Sequence, residues 1–298
     1  MSENLFLQEI FSSKMLLSES GLNAIEITVR SVIEGKSIKT EEIKTTNLSG
    51  IILPEQEEPG KNPYDDFEEN SVAVIPIIGI MLKYGYQGWY AYKYGCDDYA
   101  DMIRLADQSP KIAGTVLLFN TPGGTTSSII RLEDAMRNRT KKSVALVDYQ
   151  CCSGGIYVAS FCDEIYAMNR MCEVGSIGTY AQFINDSDML KKWGYKIEQI
   201  YPPESKYKNL PEREAMDGKP ERIIKEQLTP FAIHFQNIIK ENRRKINQSE
   251  EGILEGKVFY AYDAVNNGLI DGLMNMEQTV LRVQKLAQIQ KSIYSSFK

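Results

Sequence analysis

Histidine is almost absent from this chain of 298 residues, which contains one, His234. Histidine is the usual general base for a serine or cysteine nucleophile. His234 lies in the apolar stretch PFAIHFQNIIK, far along the chain from the loops that follow the predicted strands. We therefore expect an ordinary helical residue there, and a Ser-His-Asp triad built on His234 is a weak alternative.

Cysteine is scarce as well, and no two cysteines form a C-x-x-C pair. The five positions are Cys96, Cys151, Cys152, Cys162 and Cys172. An odd number of cysteines without paired spacing favours reduced thiols over a disulfide framework or a zinc site. The cysteines therefore predict a cytoplasmic protein.

The chain also lacks a basic excess and a long apolar run. Its formal net charge is −6, so nothing attracts a polyanion and no nucleic-acid partner is expected. The longest apolar run, residues 72–82, is shorter than the roughly 20 residues that span a bilayer. The N-terminus, MSENLFLQEIFSSKMLL, has no basic lead-in and is not a secretory signal. These features predict a soluble protein with no membrane anchor.

Residues 1–70 are predicted to form an appendage. Apolar residues at three-to-four spacing indicate helices in residues 1–35. The following stretch, residues 36–70, is polar, acidic and broken by Pro and Gly, which indicates a linker or exposed arm with a short strand at GIILP. The last segment, residues 277–298, has a helical pattern suited to a C-terminal tail or to assembly.

In residues 71–276, predicted strands alternate with predicted helices. Continuous apolar strand patterns in SVAVIPIIGI, IAGTVLLFN, KSVALVDYQ and EIYAMNR alternate with the amphipathic stretches CDDYADMIRLADQ, SSIIRLEDAMRNR and SGGIYVASFC. Such strands are typical of a mostly parallel sheet that helices cover on both faces. The predicted fold class is therefore α/β, with the segment EVGSIG as a loop.

Two glycine pairs follow successive predicted strands. Gly123 and Gly124 come after the strand that ends near Asn120, and Gly154 and Gly155 come after the next one. Ligand sites in such sheets lie beyond the carboxyl ends of the strands. Two backbone N–H groups that converge there can form an oxyanion hole, although either pair alone is more often a simple turn.

Ser153 is the favoured nucleophile for such a site. It directly precedes Gly154 at the start of a predicted helix, where the helix dipole favours developing negative charge. Cys151 and Cys152 are competing nucleophiles, but they lie on the strand end and are more simply explained as small packing residues. Without histidine, the remaining candidate for the general base that activates the nucleophile is a lysine that burial keeps neutral. The composition does not show which lysine this is.

Five motifs in order resemble one known family. They are TPGG (121–124), SGGIYVAS (153–160), GSIG (175–178), SKYKN (205–209) and GKVFYAYDAVNNGLIDGL (256–273). Together they resemble the signal peptide peptidase A family of Ser-Lys proteases, which have a Clp protease/crotonase-like fold. Within that family the chain is most similar to the phage capsid assembly, or head-maturation, proteases, which are soluble and have an N-terminal appendage.

The resemblance implies a role for each site residue. Ser153 would be the nucleophile and Lys208 the general base, with Lys206 as the alternative if the alignment slips. Ser176 would orient the lysine. The N–H groups of Gly123 or Gly124 and of Gly154 would form the oxyanion hole.

Three positions depart from the family pattern. Thr121 replaces the usual serine before PGG, and QCCSGG replaces a lead-in of smaller residues. PPESKYKN lacks the glycine usual before the lysine segment, which leaves Lys206 and Lys208 as alternatives.

The function implied is a serine endopeptidase that cleaves extended polypeptides, which would add a strand beside TPGG and beside the segment after GSIG. Capsid or scaffold proteins would be its substrates in a phage or prophage, within a procapsid, and it would form a homo-oligomer without a metal or organic cofactor. The alternatives are a cytoplasmic protease like signal peptide peptidase, a non-catalytic assembly scaffold of the same fold, and a crotonase-type acyl-CoA enzyme. The last would carry carboxylates in place of the Ser-Lys pair.

Overall fold

The computed structural model describes residues 15–17, 61–87, 92–183, 187–196 and 198–296. The strands are β1 (Met15–Leu17), β2 (Ser71–Ile78), β3 (Tyr86–Gln87), β4 (Tyr92–Lys93), β5 (Ile112–Thr121), β6 (Gly123–Thr125), β7 (Lys142–Cys152), β8 (Glu164–Ala167), β9 (Glu173–Gly175), β10 (Val258–Tyr260) and β11 (Gly272–Leu273). The helices are α1 (Cys96–Gln108), α2 (Ile129–Asn138), α3 (Gly154–Ala159), α4 (Ser187–Lys192), α5 (Leu210–Met216), α6 (Glu221–Ile223), α7 (Thr229–Asn242), α8 (Ala261–Asn266) and α9 (Met276–Ser296). A π turn (Ile224–Leu228) joins α6 to α7, and short 3-10 turns occupy Pro63–Asp66 and Pro203–Ser205.

Seven of these strands form one mostly parallel sheet. Its main path is β10-β9-β7-β5-β2, and β8 pairs with both β7 and β11. The central strand β7 divides its pairing: residues 144–147 pair in parallel with β8, and residues 150–152 pair in parallel with β9. Because β7 continues past β8, its last residues and those of β9 project together at the carboxyl edge, next to the start of α3.

Helices cover both faces of the sheet, since its strands are apolar on both sides. One face packs against α1, α2 and α3, in the cluster that contains Ile75, Leu117 and Tyr157. The other face packs against α9 through Val283, which is fully buried beside Val116. The C-terminal helix is therefore packed on the sheet rather than projecting from it.

The predicted fold class is confirmed: the structure is α/β with a mostly parallel sheet and covering helices. EVG, predicted as part of a loop, instead forms β9, because the end of β7 offers it backbone partners. β1, within a segment whose apolar spacing predicts helix, is a strand paired with β6. The remainder of the predicted N-terminal helices and the GIILP strand lie outside the described residues.

Candidate active site

Ser153 forms a sharp turn between β7 and α3. Its backbone has φ 53° and ψ −115°, a left-handed conformation that costs a non-glycine residue about 1–3 kcal/mol. Two hydrogen bonds hold the turn: the Ser153 N–H donates to the Gly175 carbonyl at 2.8 Å, and the Ser153 carbonyl accepts from the Tyr157 N–H at 3.0 Å. The strained turn fixes the direction in which the Ser153 side chain leaves the backbone.

The Ser153 hydroxyl is buried and unpaired. The residue is 1% exposed, and its Oγ has no hydrogen-bond partner within the part of the chain that the structure describes. Leaving a buried hydroxyl unpaired costs about 1–3 kcal/mol. Such groups in native proteins are uncommon and often functional.

The glycine segment β6 lies against the turn at Ser153. A Cβ built on Gly154 would lie 3.4 Å from the Gly124 nitrogen and 3.7 Å from the Gly123 Cα. Gly154 is the first residue of α3, so its N–H has no carbonyl partner within that helix. Two backbone N–H groups, from β6 and from α3, therefore lie close together beside Ser153.

Met81 holds β6 in this position. The Met81 N–H donates to the Gly123 carbonyl at 2.8 Å, and the Thr125 N–H donates to the Met81 carbonyl at 3.1 Å. A Cβ on Gly124 would overlap the Met81 carbonyl oxygen, so this approach requires glycine. Sequence reasoning missed Met81; its only signal is its place just after the apolar run of β2.

The two glycines of TPGG differ in how their N–H groups are used. The Gly123 N–H donates to Thr121 Oγ1 at 3.1 Å, and the same hydroxyl donates to the Gly79 carbonyl at 2.6 Å. Thr121 thus supplies a side-chain acceptor for Gly123. Gly124, by contrast, lies directly opposite Leu16 of β1.

Ser176 follows directly after the residue that binds the Ser153 N–H. It also has a left-handed backbone, with φ 54°, and its N–H donates to the Lys257 carbonyl at 2.9 Å. Gly175, before it, pairs with Cys152 of β7. The structure therefore brings Ser153 and Ser176 to the adjoining ends of two paired strands.

Lys208 is not hydrogen-bonded to Ser153 in this structure. It lies between the 3-10 turn Pro203–Ser205 and α5, and its side chain is exposed. Lys206 is also exposed, and its Nζ lies 5.2 Å from the centre of the Tyr207 ring. Because Ser153 Oγ has no partner among the described residues, neither lysine is hydrogen-bonded to it in this conformation.

Cys151 and Cys152 are packed in the protein interior. Both are fully buried. Burial raises the pKa of the Cys151 thiol well above its usual range and that of Cys152 to about 12. Since the thiolate is the nucleophilic form, these thiols are inert at neutral pH. All five cysteines of the chain are free and buried.

His234 has a different partner from the one a triad needs. Its Nε2 lies 3.1 Å from the Tyr157 hydroxyl oxygen. That hydroxyl donates its proton to Glu133 at 2.6 Å. Tyr157 is fully buried in α3. His234 therefore belongs to a polar network with Tyr157 and Glu133. It is not hydrogen-bonded to Ser153.

Neither a metal cluster nor a membrane span is found in the described ranges. No group of three or more His, Cys, Asp or Glu side chains among those residues is placed to hold a metal ion. No helix in the same ranges is long and apolar enough to cross a membrane.

The comparisons with known proteins identify the family. The family model described as Peptidase family S49 matches residues 135–290, which is more than half of the chain and includes α3 and the segments carrying Ser176 and Lys208. The chain therefore belongs to peptidase family S49, a family of serine-type peptidases. This agrees with the resemblance to the signal peptide peptidase A family.

Curated relatives come from bacteria and plants. Protease 4 of Haemophilus influenzae is 24% identical over 220 residues, which are 73% of this chain and 35% of that protein. Serine protease SPPA, chloroplastic, of Arabidopsis thaliana is 26% identical over 195 residues, which are 63% of this chain and 28% of that protein. The chain thus spans about a third of the length of these relatives.

Two solved structures are also similar. A lysine-to-alanine mutant of the 1510-N membrane-bound stomatin-specific protease, in complex with a substrate peptide, has a TM-score of 0.47 at 16% identity and covers 72% of this chain and 80% of its own. An enoyl-CoA hydratase/isomerase family member has a TM-score of 0.40 at 20% identity and covers 76% of this chain and 74% of its own.

Proposed function

We propose that this chain is a serine endopeptidase with Ser153 as its nucleophile. The observation that carries the proposal is the Ser153 turn: a buried, unpaired hydroxyl on a strained backbone, directly beside the Gly124 and Gly154 N–H groups. Fixed donors beside a nucleophile are the arrangement that stabilises the oxyanion of acyl transfer. Membership of peptidase family S49 makes a peptide bond the bond that we expect Ser153 to attack.

The proposed mechanism forms and hydrolyses an acyl-enzyme. Ser153 Oγ attacks the carbonyl carbon of a peptide bond while its proton passes to a general base. The Gly124 and Gly154 N–H groups hold the oxyanion, and Gly123 supports this geometry through its bond to Thr121. The protonated base gives its proton to the leaving amine, and water then hydrolyses the ester.

Lys208 is the base that we propose, from its match to the family motif in SKYKN. Its exposure means that the segment carrying it would have to move onto the turn at Ser153 before reaction. To Ser176, which follows the acceptor of the Ser153 N–H, we assign the role of orienting the amine after such a movement.

The setting that we propose is capsid maturation in a phage or prophage, with capsid or scaffold proteins as substrates and a homo-oligomer as the working form. It rests on the similarity of the five motifs and of the N-terminal extension to the head-maturation branch. A cytoplasmic protease like signal peptide peptidase is the alternative, and every catalytic role in either is assigned to protein groups, without a cofactor.

Activity with a denatured protein substrate and with a co-expressed capsid subunit tests the proposal. We expect wild-type protein to cleave the denatured substrate and Ser153→Ala to be inactive. Equal cleavage by both would reject Ser153 as the nucleophile. Inactivity of a folded wild-type protein would favour the non-catalytic scaffold, and thioester hydrolysis or hydration of an acyl-CoA would favour the crotonase-type enzyme.

A further inference from the structure

The edge of β6 that faces away from Met81 is occupied by the chain's own strand β1. Met81 binds the Gly123 carbonyl and the Thr125 N–H on one side of β6. Because backbone groups alternate along a strand, the N–H and carbonyl of Gly124 point to the other side. There β1, Met15–Leu17, pairs antiparallel with β6.

The register of this pairing uses the backbone of Gly124. Leu16 lies directly opposite Gly124, and its two neighbours lie opposite Thr125 and Gly123. Since the polar groups of Gly124 face β1, Leu16 and Gly124 form a hydrogen-bonded pair, in which the N–H of each residue donates to the carbonyl of the other. The Gly124 N–H, one of the two donors proposed for the oxyanion, is therefore bound to the Leu16 carbonyl in this structure.

The pairing excludes two things that the proposed reaction needs. A substrate that adds a strand to β6 requires the edge that β1 fills. The oxyanion of the tetrahedral intermediate requires the Gly124 N–H, whose single hydrogen is held by Leu16. A substrate therefore reaches both only after β1 has left.

The proposed base is also not in place in this conformation. Lys208 is exposed, and Ser153 Oγ has no hydrogen-bond partner among the described residues. The turn at Ser153 and the segment β6, by contrast, are held by the backbone bonds to Gly175 and Met81. The nucleophile and its glycine segment are thus formed, while the substrate edge is filled and the lysine is away.

We propose that β1 is an autoinhibitory strand, which fills the substrate edge of β6 and holds the Gly124 N–H until a substrate displaces it. The proposal rests on the proposed peptidase function. Because β1 belongs to the same chain, diluting the protein does not weaken its binding. It lowers the fraction of molecules that are able to bind substrate, and the apparent Kd rises by the reciprocal of that fraction. Such an inhibitor raises KM and leaves kcat at saturating substrate unchanged.

The strand β1 is able to leave without disturbing the main sheet. It forms with β6 a two-stranded sheet that is separate from the seven-stranded one, and a pairing of this size is marginally stable. β6 itself stays bound to Met81. β1 ends at residue 17 and β2 begins at residue 71, so more than 50 residues join them, and at about 3.3–3.6 Å per residue they allow β1 to move away.

Proline substitutions at two neighbouring positions of β1 test the proposal in the full-length chain. Leu16→Pro removes the N–H that binds the Gly124 carbonyl. Met15→Pro is the matched control, because the N–H that it removes points away from β6. With a denatured protein as substrate, we expect Leu16→Pro to lower KM by about tenfold or more, with kcat within about twofold of wild type. Met15→Pro should keep both constants within about twofold, and equal kinetics for the two variants would overturn the proposal.

Hydrogen exchange resolved to single residues tests the pairing without using activity. The Gly124 amide should exchange about tenfold faster in Leu16→Pro than in Met15→Pro. The Thr125 amide, which binds the Met81 carbonyl, should exchange alike in both variants. Thermal unfolding of both checks that the fold is kept. Faster exchange at Gly124 without a fall in KM would mean that β1 pairs with β6 but does not inhibit, and would overturn the proposal.

The failure of this proposal is distinguishable from failure of the proposed function. If wild type and both proline variants cleave the denatured protein with the same KM, inhibition by β1 is wrong and the peptidase function stands. If all three are folded and none cleaves, both proposals are wrong. If the KM of wild type falls when the enzyme is diluted, the inhibitory strand comes from another copy, and inhibition within one chain is overturned.

Discussion

The two members of the proposed Ser-Lys pair lie in regions of opposite character. The elbow region, residues 121–125 and 151–159, is buried at every position. The lysine segment, residues 187–196 and 198–209, is mostly exposed and carries Trp193 and Ile200 at 66% and 89% exposure. The comparison indicates that packing fixes the position of the proposed nucleophile and oxyanion donors. The proposed base would need a further event, such as substrate binding or assembly, to reach them.

The largest expected effect tests the elbow region. Ser153→Ala should lower kcat by about four to six orders of magnitude, because it removes the proposed nucleophile. The free energy of unfolding should not fall, since the removed hydroxyl has no partner among the described residues. Initial rates on a denatured protein and chemical denaturation measure both quantities.

Cys152→Ala is the matched control, a neighbouring potential nucleophile whose thiol is buried and protonated. We expect its kcat to stay within about tenfold of wild type. If Cys152→Ala is folded but inactive while Ser153→Ala is active, the nucleophile is Cys152 and the assignment to Ser153 is wrong.

The second effect tests the lysine segment. Lys208→Ala should lower kcat by about two to four orders of magnitude, the range for loss of a general base. Its unfolding midpoint should not change, because the side chain is exposed. Lys206→Ala, two residues away and also exposed, is the control and should remain active. If Lys206→Ala alone is inactive, Lys206 is the base and the alignment of SKYKN has slipped.

The third effect separates two glycines of the elbow region by stability. Gly124→Ala should destabilise the fold by about 3 kcal/mol or prevent folding, because its Cβ would overlap the Met81 carbonyl. Gly154→Ala should fold nearly as wild type, since its Cβ would make only ordinary contacts of 3.4 Å and longer. Equal thermal shifts for the two variants would show that β6 can move away from Met81, against the view of a packed elbow.

The smallest effect compares an ion pair between the sheet and its C-terminal helix with an ion pair in the lysine segment. Arg282 on α9 binds Glu164 of β8, and the hydrogen bond from Arg282 lowers the pKa of Glu164 below its usual 4.5. A lowered folded-state pKa stabilises the protein above pH 4.5, and this stabilisation is lost as the pH falls through the folded-state value. Arg282→Met should therefore cost about 1 kcal/mol at pH 7 and less in acid.

Lys191→Met provides the contrast, because its ion pair with Asp188 has side-chain exposures of 72% and 90%. We expect no measurable change in the free energy of unfolding at either pH. An effect equal to that of Arg282→Met would mean that the lysine segment is as firmly packed as the sheet.

Local sequence signals predicted the elements near the elbow well. The apolar runs of β2, β5 and β7 and the amphipathic pattern of α1 are strong because both faces of the sheet are covered. The strand β9 could not be predicted from EVG, since three residues carry no periodicity and the strand forms only because β7 extends past β8. The strand β1 could not be predicted either, because it also has only three residues and its partner, β6, lies more than 100 residues away along the chain.

The sequence alone determined the α/β class, the glycine pairs after successive strands and the motif order that resembles the signal peptide peptidase A family, because each depends on residue types at short or ordered spacings. Only the tertiary structure decided that the Gly123 N–H binds Thr121 and that Ser153 has a strained backbone and, among the described residues, an unpaired hydroxyl. It likewise decided that His234 contacts Tyr157 and that Lys208 is exposed. These properties depend on which segments the folded chain brings into contact, and local residue patterns do not encode those distances.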